Sequence, residues 1–216
     1  MVFPGCCAHQ EITVRVLSVH FTRFTKIQNL RNSKSKDSMN DDVCLQALKE
    51  WTGKASASVV YDSTTDEFTA DGLFTKVQGK QNIALVGFTT DEDVFGGFYS
   101  VAVTAQEEEF YDPNIFAFSF ESHGRCMTPQ RFVVKSWLRD EAGVYLWKNN
   151  VDRFVWFLVD GCGAFYLGNE KSQSFCSHLS NGFEGLEDTT LSGNDGTWDC
   201  GLFHHCTRLV AAQLSS

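Results

Sequence analysis

Hydrophobic and polar positions alternate over several stretches of the chain, a pattern typical of β-strands with one buried face. The clearest example is Ile115-Phe116-Ala117-Phe118-Ser119-Phe120, in which three phenylalanines occupy every second position and therefore share one face. We expect this strand to turn its phenylalanine face inward. Further strands are predicted over residues 58–62, 83–88, 94–103, 131–135, 144–147, 153–159 and 205–214, with shorter ones near Phe165 and Phe175.

Helical spacing occurs in two short segments. Asp41-Asp42 gives an acidic N-terminal signal ahead of apolar residues spaced three and four positions apart, and Gly53 ends this segment. A second helix of about two turns is predicted over residues 71–78. Because most strands follow one another without a helix between them, they should pair antiparallel. The predicted fold class is α+β, a mainly antiparallel two-sheet β-sandwich with a few short helices packed around it.

The distribution of charge divides the chain near residue 40. Residues 1–40 carry six basic and two acidic side chains, whereas residues 41–216 carry 12 basic and 25 acidic ones. The polar segment 31–40 is rich in residues that favour loops. We therefore predict a basic N-terminal extension or linker over residues 1–40 and a single domain over residues 41–216. An acidic domain of this kind repels phosphate backbones, so no nucleic-acid partner is expected for it.

Nothing in the sequence predicts a membrane-spanning or secreted protein. The longest apolar run, residues 154–159, has the length of a strand and is too short for a membrane helix. The N-terminus lacks the charged start and apolar core of a secretory signal. We therefore expect a cytoplasmic protein without a transmembrane segment, in which the 8 cysteines are mostly free thiols.

Five short segments resemble the TLDc domain of the oxidation-resistance protein family. They are a strand ending in Val59-Val60-Tyr61-Asp62-Ser63, the buried run 83–88, Phe95-Gly96-Gly97-Phe98, the phenylalanine strand Phe116-Ala117-Phe118-Ser119-Phe120, and Phe165-Tyr166-Leu167-Gly168-Asn169. The resemblance covers residues 43–214. One difference is that the family commonly closes with an acidic-x-Trp segment, where this chain has Cys206-Thr207-Arg208-Leu209-Val210.

The resemblance implies a non-catalytic protein-interaction domain with a role in oxidative-stress resistance. For several members of the family it also implies binding to the proton-pumping vacuolar ATPase, so subunits of that enzyme are the expected partners. No cofactor, no metal and no catalytic residue are expected. The residues taken over from the family pattern are Phe95, Gly96, Gly97 and Phe98. A glycine pair inside a strand is typical of a close backbone approach or a bend between the sheets, and a docking groove is the alternative.

Cysteine and histidine residues allow a different hypothesis, a thiol- or metal-dependent enzyme that acts directly on peroxide. Zinc prefers thiolate and imidazole ligands, and such residues cluster near the C-terminus, with others earlier in the chain: Cys200, His204, His205 and Cys206, then Cys162, Cys176 and His178. No Cys-x-x-Cys pair is present, so the pattern favours buried thiols and surface histidines. Cys126, which follows Arg125, is the best candidate for a redox-active thiol.

Other motifs give weaker signals. Gly161-Cys162-Gly163 resembles part of a dinucleotide-binding loop, but its glycine spacing favours a hairpin turn. No Gly-x-Ser-x-Gly segment of a hydrolase is present. Acidic side chains cluster at Asp91-Glu92-Asp93, at Glu107-Glu108-Glu109 and at Glu184, Glu187 and Asp188. Such runs are most often solvated, and they can also recognise a basic partner surface.

Overall fold

The computed structural model describes residues 42–149, 153–159, 165–169, 176–193 and 205–216. The chain divides into a unit of residues Met1–Val43 and a unit of residues Cys44–Ser216, and the fold described below is that of the second unit. The predicted extension, residues 1–40, lies outside the described residues, as do Phe175 and the segment Gly161-Cys162-Gly163.

Ten strands form two antiparallel sheets in the described part of the chain. The larger sheet has six strands in the order β1-β10-β2-β3-β5-β6, and the smaller has four in the order β4-β7-β8-β9. The strands are β1 (Ser56–Asp62), β2 (Ile83–Thr89), β3 (Val94–Tyr99), β4 (Glu109–Tyr111), β5 (Phe116–Glu121), β6 (Gln130–Val133), β7 (Gly143–Leu146), β8 (Arg153–Leu158), β9 (Phe165–Gly168) and β10 (Cys206–Ser215). The predicted α+β fold with two antiparallel sheets is confirmed.

Three α-helices and one 3₁₀ helix accompany the sheets within the described ranges. Helix α1 covers residues 42–52, α2 is Ala70–Val77, α3 is Leu179–Gly182, and the 3₁₀ helix is Ser136–Glu141. Helix α2 begins at Thr69, whose hydroxyl accepts a hydrogen bond from the Gly72 amide at 3.0 Å, which satisfies a backbone donor that the helix itself leaves open. The two helices predicted from the sequence are therefore present.

The main core lies between the two sheets. The inward side chains of alternate positions pack there, among them Phe95, Tyr99, Phe132, Phe157 and Phe165. Two glycines let the sheets approach: a Cβ on Gly97 would lie 2.5 Å from the Phe157 ring, and one on Gly87 would lie 2.9 Å from Leu167. The absence of side chains at these positions therefore creates the space that large residues of the smaller sheet fill.

A second apolar cluster covers the opposite face of the six-stranded sheet. Phe116, Phe118 and Phe120 belong to this cluster, and the indole of Trp51 on α1 stacks on Phe120 with ring centroids 5.5 Å apart. The phenylalanine face of β5 is therefore buried, as predicted, but it packs against α1, and Ala117 on the other face is the residue that faces the main core. Alternation predicts that the two faces differ, but helix α1 determines which of them buries the aromatic rings.

One predicted strand boundary changed. The strand expected over residues 94–103 ends at Tyr99, because the Asp112 carboxylate accepts hydrogen bonds from both the amide and the hydroxyl of Ser100 and turns the chain out of the sheet. Glu109, which belongs to one of the acidic runs noted in the sequence, begins β4. The C-terminal strand β10 was predicted, and the structure places it between β1 and β2.

Candidate functional site

The residues of the family pattern, Phe95, Gly96, Gly97 and Phe98, form most of β3. All four are buried, with Phe95 directed into the main core and Phe98 into the second cluster. A Cβ on Gly96 would lie 1.8 Å from the Leu85 carbonyl oxygen of the paired strand. These glycines therefore serve close packing of β3 against β2 and β8, and any further role of the motif stays a prediction.

The described thiols lie in two environments. Cys176 is fully buried between the sheets, and burial raises its pKa to about 12, although the Ser192 hydroxyl opposes the shift. A thiol with so high a pKa holds almost no thiolate at neutral pH and is a poor nucleophile. Cys126 is partly buried, and its amide donates to the Ser122 hydroxyl at 2.7 Å. Of these two, only Cys126 offers a thiol that an oxidant can reach.

The metal hypothesis rests partly on residues that the structure does not describe. Cys162, Cys200 and His204 lie outside the described residues. Within the described ranges, no three His, Cys, Asp or Glu side chains come close enough to hold a metal ion. Cys176 and Cys206 are both buried in the main core.

A buried acidic side chain organises the loop between β5 and β6. Asp93 is 2% exposed, and its carboxylate accepts hydrogen bonds from Arg125 at 2.6 Å and lies 3.0 Å from Nδ1 of His123. Arg125 also donates to the backbone carbonyls of Thr190 and Leu191. The sequence grouped Asp93 with solvated acids, and for this residue that prediction was wrong. The cation beside Cys126 is thus bound to a carboxylate, which reduces its capacity to stabilise a thiolate.

Two large apolar side chains at the ends of β6 are exposed. Met127 is 90% exposed in the loop that precedes β6, and Trp137 is 69% exposed in the 3₁₀ helix that follows it. The Met127 loop is held at its base by the Asp93–Arg125 ion pair. The ammonium group of Lys135 lies 5.4 Å from the centre of the Trp137 ring. We call Met127 and Trp137 the β6 anchors; sequence patterns did not single them out, because exposure depends on the three-dimensional packing.

Acidic side chains lie along the edge of β6. The segment 178–193 runs along the edge of β6, where the Glu184 amide donates to the Val133 carbonyl at 2.8 Å and the Lys135 amide to the Gly182 carbonyl at 3.0 Å. Glu184 and Glu187 of this segment are exposed, whereas Asp188 accepts a hydrogen bond from the Ser180 amide at 2.8 Å. Glu184 and Glu187 therefore face solvent as predicted, and no described hydrogen bond or ion pair involves their carboxylates.

A family model of the TLDc domain matches residues 36–189, which is more than half of the chain. Among curated proteins, none matches this chain as a relative. Strand β10 lies beyond the matched range. No helix in the described part of the chain is long and apolar enough to cross a membrane. The resemblance inferred from the sequence motifs is thus confirmed.

Proposed function

Because this chain belongs to the TLDc domain family, we propose that it is a non-catalytic protein-interaction domain of the oxidation-resistance type, and that it docks on subunits of the vacuolar proton-pumping ATPase. The observation that carries the docking role is the pair of β6 anchors, Met127 and Trp137, held on fixed supports at the ends of one edge strand. The choice of the vacuolar ATPase as the partner rests on the family resemblance alone.

Exposed tryptophan and methionine are the side chains that binding surfaces use most effectively. Tryptophan is enriched among the few residues that dominate binding energy, and methionine adapts its shape to different partners. The supports of both anchors are ordered: Arg125 ties one loop to buried Asp93, and the 3₁₀ helix carries Trp137. An anchor that is already ordered loses less conformational entropy on binding, which favours affinity.

The exposed acidic side chains along the edge of β6 predict a basic partner surface. Glu184 and Glu187 are exposed on the segment that covers the edge of β6, and the chain as a whole carries a formal charge of −9. Charges at the rim of an interface mainly accelerate association and select partners, and their effect falls as salt rises. We therefore expect an apolar contact at Trp137 and, along the edge of β6, salt-sensitive contacts of Glu184 and Glu187 to lysine or arginine.

Docking alone can regulate a large assembly. A domain that binds one assembly state of the ATPase more tightly than another shifts the equilibrium between them by the ratio of the two affinities. No catalytic group is required for this effect. The proposed protection against oxidative stress would then result from altered activity of the partner.

An affinity capture experiment tests this function. The full chain serves as bait in lysates, and captured vacuolar ATPase subunits are quantified by mass spectrometry at low and high salt. We expect capture by the wild type, at least a tenfold loss for Trp137→Ala, as for a binding hot spot, and a smaller loss for Met127→Ala. The matched control is Tyr111→Ala, which removes another exposed aromatic side chain, 58% exposed, on the smaller sheet.

Two results would contradict the proposal. Equal capture by Trp137→Ala and wild type would exclude the β6 anchors as the docking site, and absence of ATPase subunits from every capture would exclude the partner. The enzyme alternative has its own test, the consumption of peroxide by the purified chain. We expect Cys126→Ser and Cys206→Ser to behave like the wild type in that assay, whereas loss of consumption in either variant would favour a thiol enzyme.

A further inference from the structure

A cavity of about 400 Å³ opens on the face of the six-stranded sheet that α1 only partly covers. It lies beside the C-terminal end of α1 and above strands β3, β5 and β6, and the 3₁₀ helix closes one side. Its volume falls within the range of small-molecule sites. The residues that line it are Trp51, Thr52, Lys54, Asn82, Phe98, Ser100, Pro113, Asn114, Ile115, Phe116, Arg131, Val133, Val134 and Arg139.

Every charged side chain that lines this cavity is a cation. The cations are Lys54, which follows α1, Arg131 of β6 and Arg139 of the 3₁₀ helix. No aspartate or glutamate is among the described lining residues. Within the described ranges, none of the three forms an ion pair. The mutual repulsion of three cations that lie at one cavity is relieved when an anion binds between them.

The end of α1 holds two of these cations in place. Gly53 has a φ of +67°, and this left-handed residue lets the Lys54 amide donate back to the Lys49 carbonyl at 3.2 Å, a helix ending that favours glycine. Lys54 follows this turn and lines the cavity, and its ammonium group also donates to the Ser216 hydroxyl at 3.4 Å. The Arg131 guanidinium donates to the Trp51 carbonyl and lies 5.9 Å from the centre of the Phe116 ring. Arg131 is thus oriented, and among the described residues one of its five donors forms a hydrogen bond.

Ser100 and Asn114 form another wall of the cavity. The buried carboxylate of Asp112, which lies behind this wall, holds both residues in place. Asp112 is fully buried and accepts hydrogen bonds from the Ser100 hydroxyl and from the Asn114 amide, both at 2.9 Å. The Asn114 side-chain amide donates to the Ser100 hydroxyl at 3.2 Å. These contacts fix two neutral polar groups at the cavity wall, while the charge of Asp112 is satisfied behind them.

The floor of the cavity is apolar and contains two aromatic rings. Phe98 and Phe116 stack with their ring centroids 4.9 Å apart and 19° between their planes. Ile115 and Val134 add aliphatic surface beside them. A ligand that fits this site has an anionic group for the rim and a flat apolar part for the floor.

We propose that this cavity binds a small phosphate ester with a planar organic part. Arginine forks match phosphate oxygens with two parallel hydrogen bonds. A phosphate monoester carries about two negative charges on one group at neutral pH, which suits three cations better than a single carboxylate does. The ligand is a small molecule recognised by Lys54, Arg131 and Arg139, and its binding is independent of the β6 anchors.

Calorimetric titration of the full chain tests this site. The probes are AMP, which combines a phosphate with a planar ring, pyrophosphate, which has the charge alone, adenosine, which has the ring alone, and citrate, which offers carboxylates. We expect AMP to bind with a dissociation constant of about 10 µM, an ordinary value for a ligand of that size, pyrophosphate to bind more weakly, and adenosine and citrate more weakly still. AMP binding should weaken as salt rises.

Charge-removing variants assign the binding to the cavity. Arg139→Met and Lys54→Met should each weaken AMP binding by about tenfold or more, since each removes a charged hydrogen-bond donor. Neither residue supports the core in the described contacts, so both variants should fold. Lys148→Met is the matched control, because Lys148 is exposed next to β7 of the smaller sheet, and it should leave AMP binding unchanged.

Four results would overturn the proposal. They are absence of saturable binding for both AMP and pyrophosphate at millimolar concentrations, citrate binding more tightly than AMP, adenosine binding as tightly as AMP, and loss of affinity in Lys148→Met equal to that in Arg139→Met. Failure of this test leaves the docking proposal intact, because the capture experiment depends on Trp137 and Met127 and not on the cavity.

Discussion

The six-stranded sheet has two edge strands, β1 and β6. The two edges, called here the β1 end and the β6 end, are built differently. At one end, seven-residue β1 pairs with ten-residue β10, and the Arg208 guanidinium binds the Asp62 carboxylate across this pair at 2.7 Å. At the other end, β6 has four residues. Around it lie the β6 anchors, the cation-lined cavity and the covering segment 178–193.

This difference indicates that the β1 end of the sheet contributes mainly to stability, whereas the β6 end carries the side chains for binding. Long paired strands and a side-chain ion pair close the β1 end, where β1 exposes Val59 but no aromatic side chain or methionine. The short edge strand β6 leaves exposed Met127 and Trp137 at its ends. Short or covered edge strands also limit unwanted sheet-to-sheet pairing, which lets this end bind partners through side chains.

The largest effect is expected from Gly96→Ala, which disrupts the pairing of β2 and β3 in the middle of the sheet. The added Cβ would lie 1.8 Å from the Leu85 carbonyl oxygen, and a backbone atom of a paired strand cannot move away cheaply. We expect the free energy of unfolding to fall by about 3 kcal/mol or more, measured by urea denaturation. Gly79→Ala is the control, with open space around the site and a φ of +70°, and should cost about 1 kcal/mol. Equal losses in the two variants would contradict the close approach of β2 and β3.

A smaller effect is expected from Trp51→Ala, which removes the cover of the β6 end. The indole packs on Phe116, Phe118 and Phe120 and is partly exposed, so we expect a loss of about 2 to 3 kcal/mol in urea denaturation. Trp137→Ala deletes the same side chain from an exposed position and should change stability by about 0.5 kcal/mol or less. If Trp137→Ala destabilised the protein as much as Trp51→Ala, Trp137 would be a core residue and not an anchor.

Asp112→Asn tests the wall of the cavity. The asparagine side chain has one acceptor oxygen where the carboxylate has two, so an amide donor would face a donor of Ser100 or Asn114. We expect a loss of about 2 kcal/mol in chemical denaturation, together with weaker AMP binding because Ser100 and Asn114 lose their support. Asp140→Asn, at an exposed position of the 3₁₀ helix, is the control and should change neither quantity. Full stability in Asp112→Asn would contradict the network.

The smallest effect concerns the ion pair at the β1 end. Burial alone would raise the pKa of the Asp62 carboxyl, but hydrogen bonds from Arg208 and Thr64 outweigh it and lower the pKa below its usual value near 3.8. Because the folded-state pKa is depressed, the pair stabilises the protein above the usual pKa, and this contribution is lost as pH falls through the folded-state value.

Arg208→Met tests that ion pair. The variant should lose about 1 kcal/mol or less at neutral pH, and its stability should decline less than that of the wild type between pH 4 and the acid transition. Thermal unfolding followed across that pH range measures both. An acid decline in Arg208→Met as steep as in the wild type would show that Asp62 gains nothing from Arg208.

The sequence predicted the strands better than it predicted their surroundings. The apolar runs 83–88 and 154–159 and the alternation of β5 are local signals, and each became a strand. The side of the sheet that buries Phe116, Phe118 and Phe120 could not be predicted, since alternation separates two faces without assigning either to the core. Likewise, the apolar character of residues 205–214 predicted a strand but not its place between β1 and β2.

The functional features depend on contacts between distant parts of the chain. The cavity brings Lys54, next to α1, together with Arg131 and Arg139, residues that the sequence places in unrelated segments. The sequence grouped Asp93 with two solvated acids, because its ion pair with Arg125 depends on the folded structure. The family pattern Phe95-Gly96-Gly97-Phe98 was recognisable because close packing constrains adjacent residues, whereas a binding surface has no such local signature.

Hydrogen–deuterium exchange of the full chain, alone and with vacuolar ATPase subunits, tests the central claim that recognition takes place at the β6 end. Binding slows exchange of amides that the partner covers or orders. We predict slower exchange in peptides covering the 122–129 loop and the 3₁₀ helix Ser136–Glu141, and unchanged exchange in β1 (Ser56–Asp62). Protection of β1 without protection of these two segments would contradict the claim.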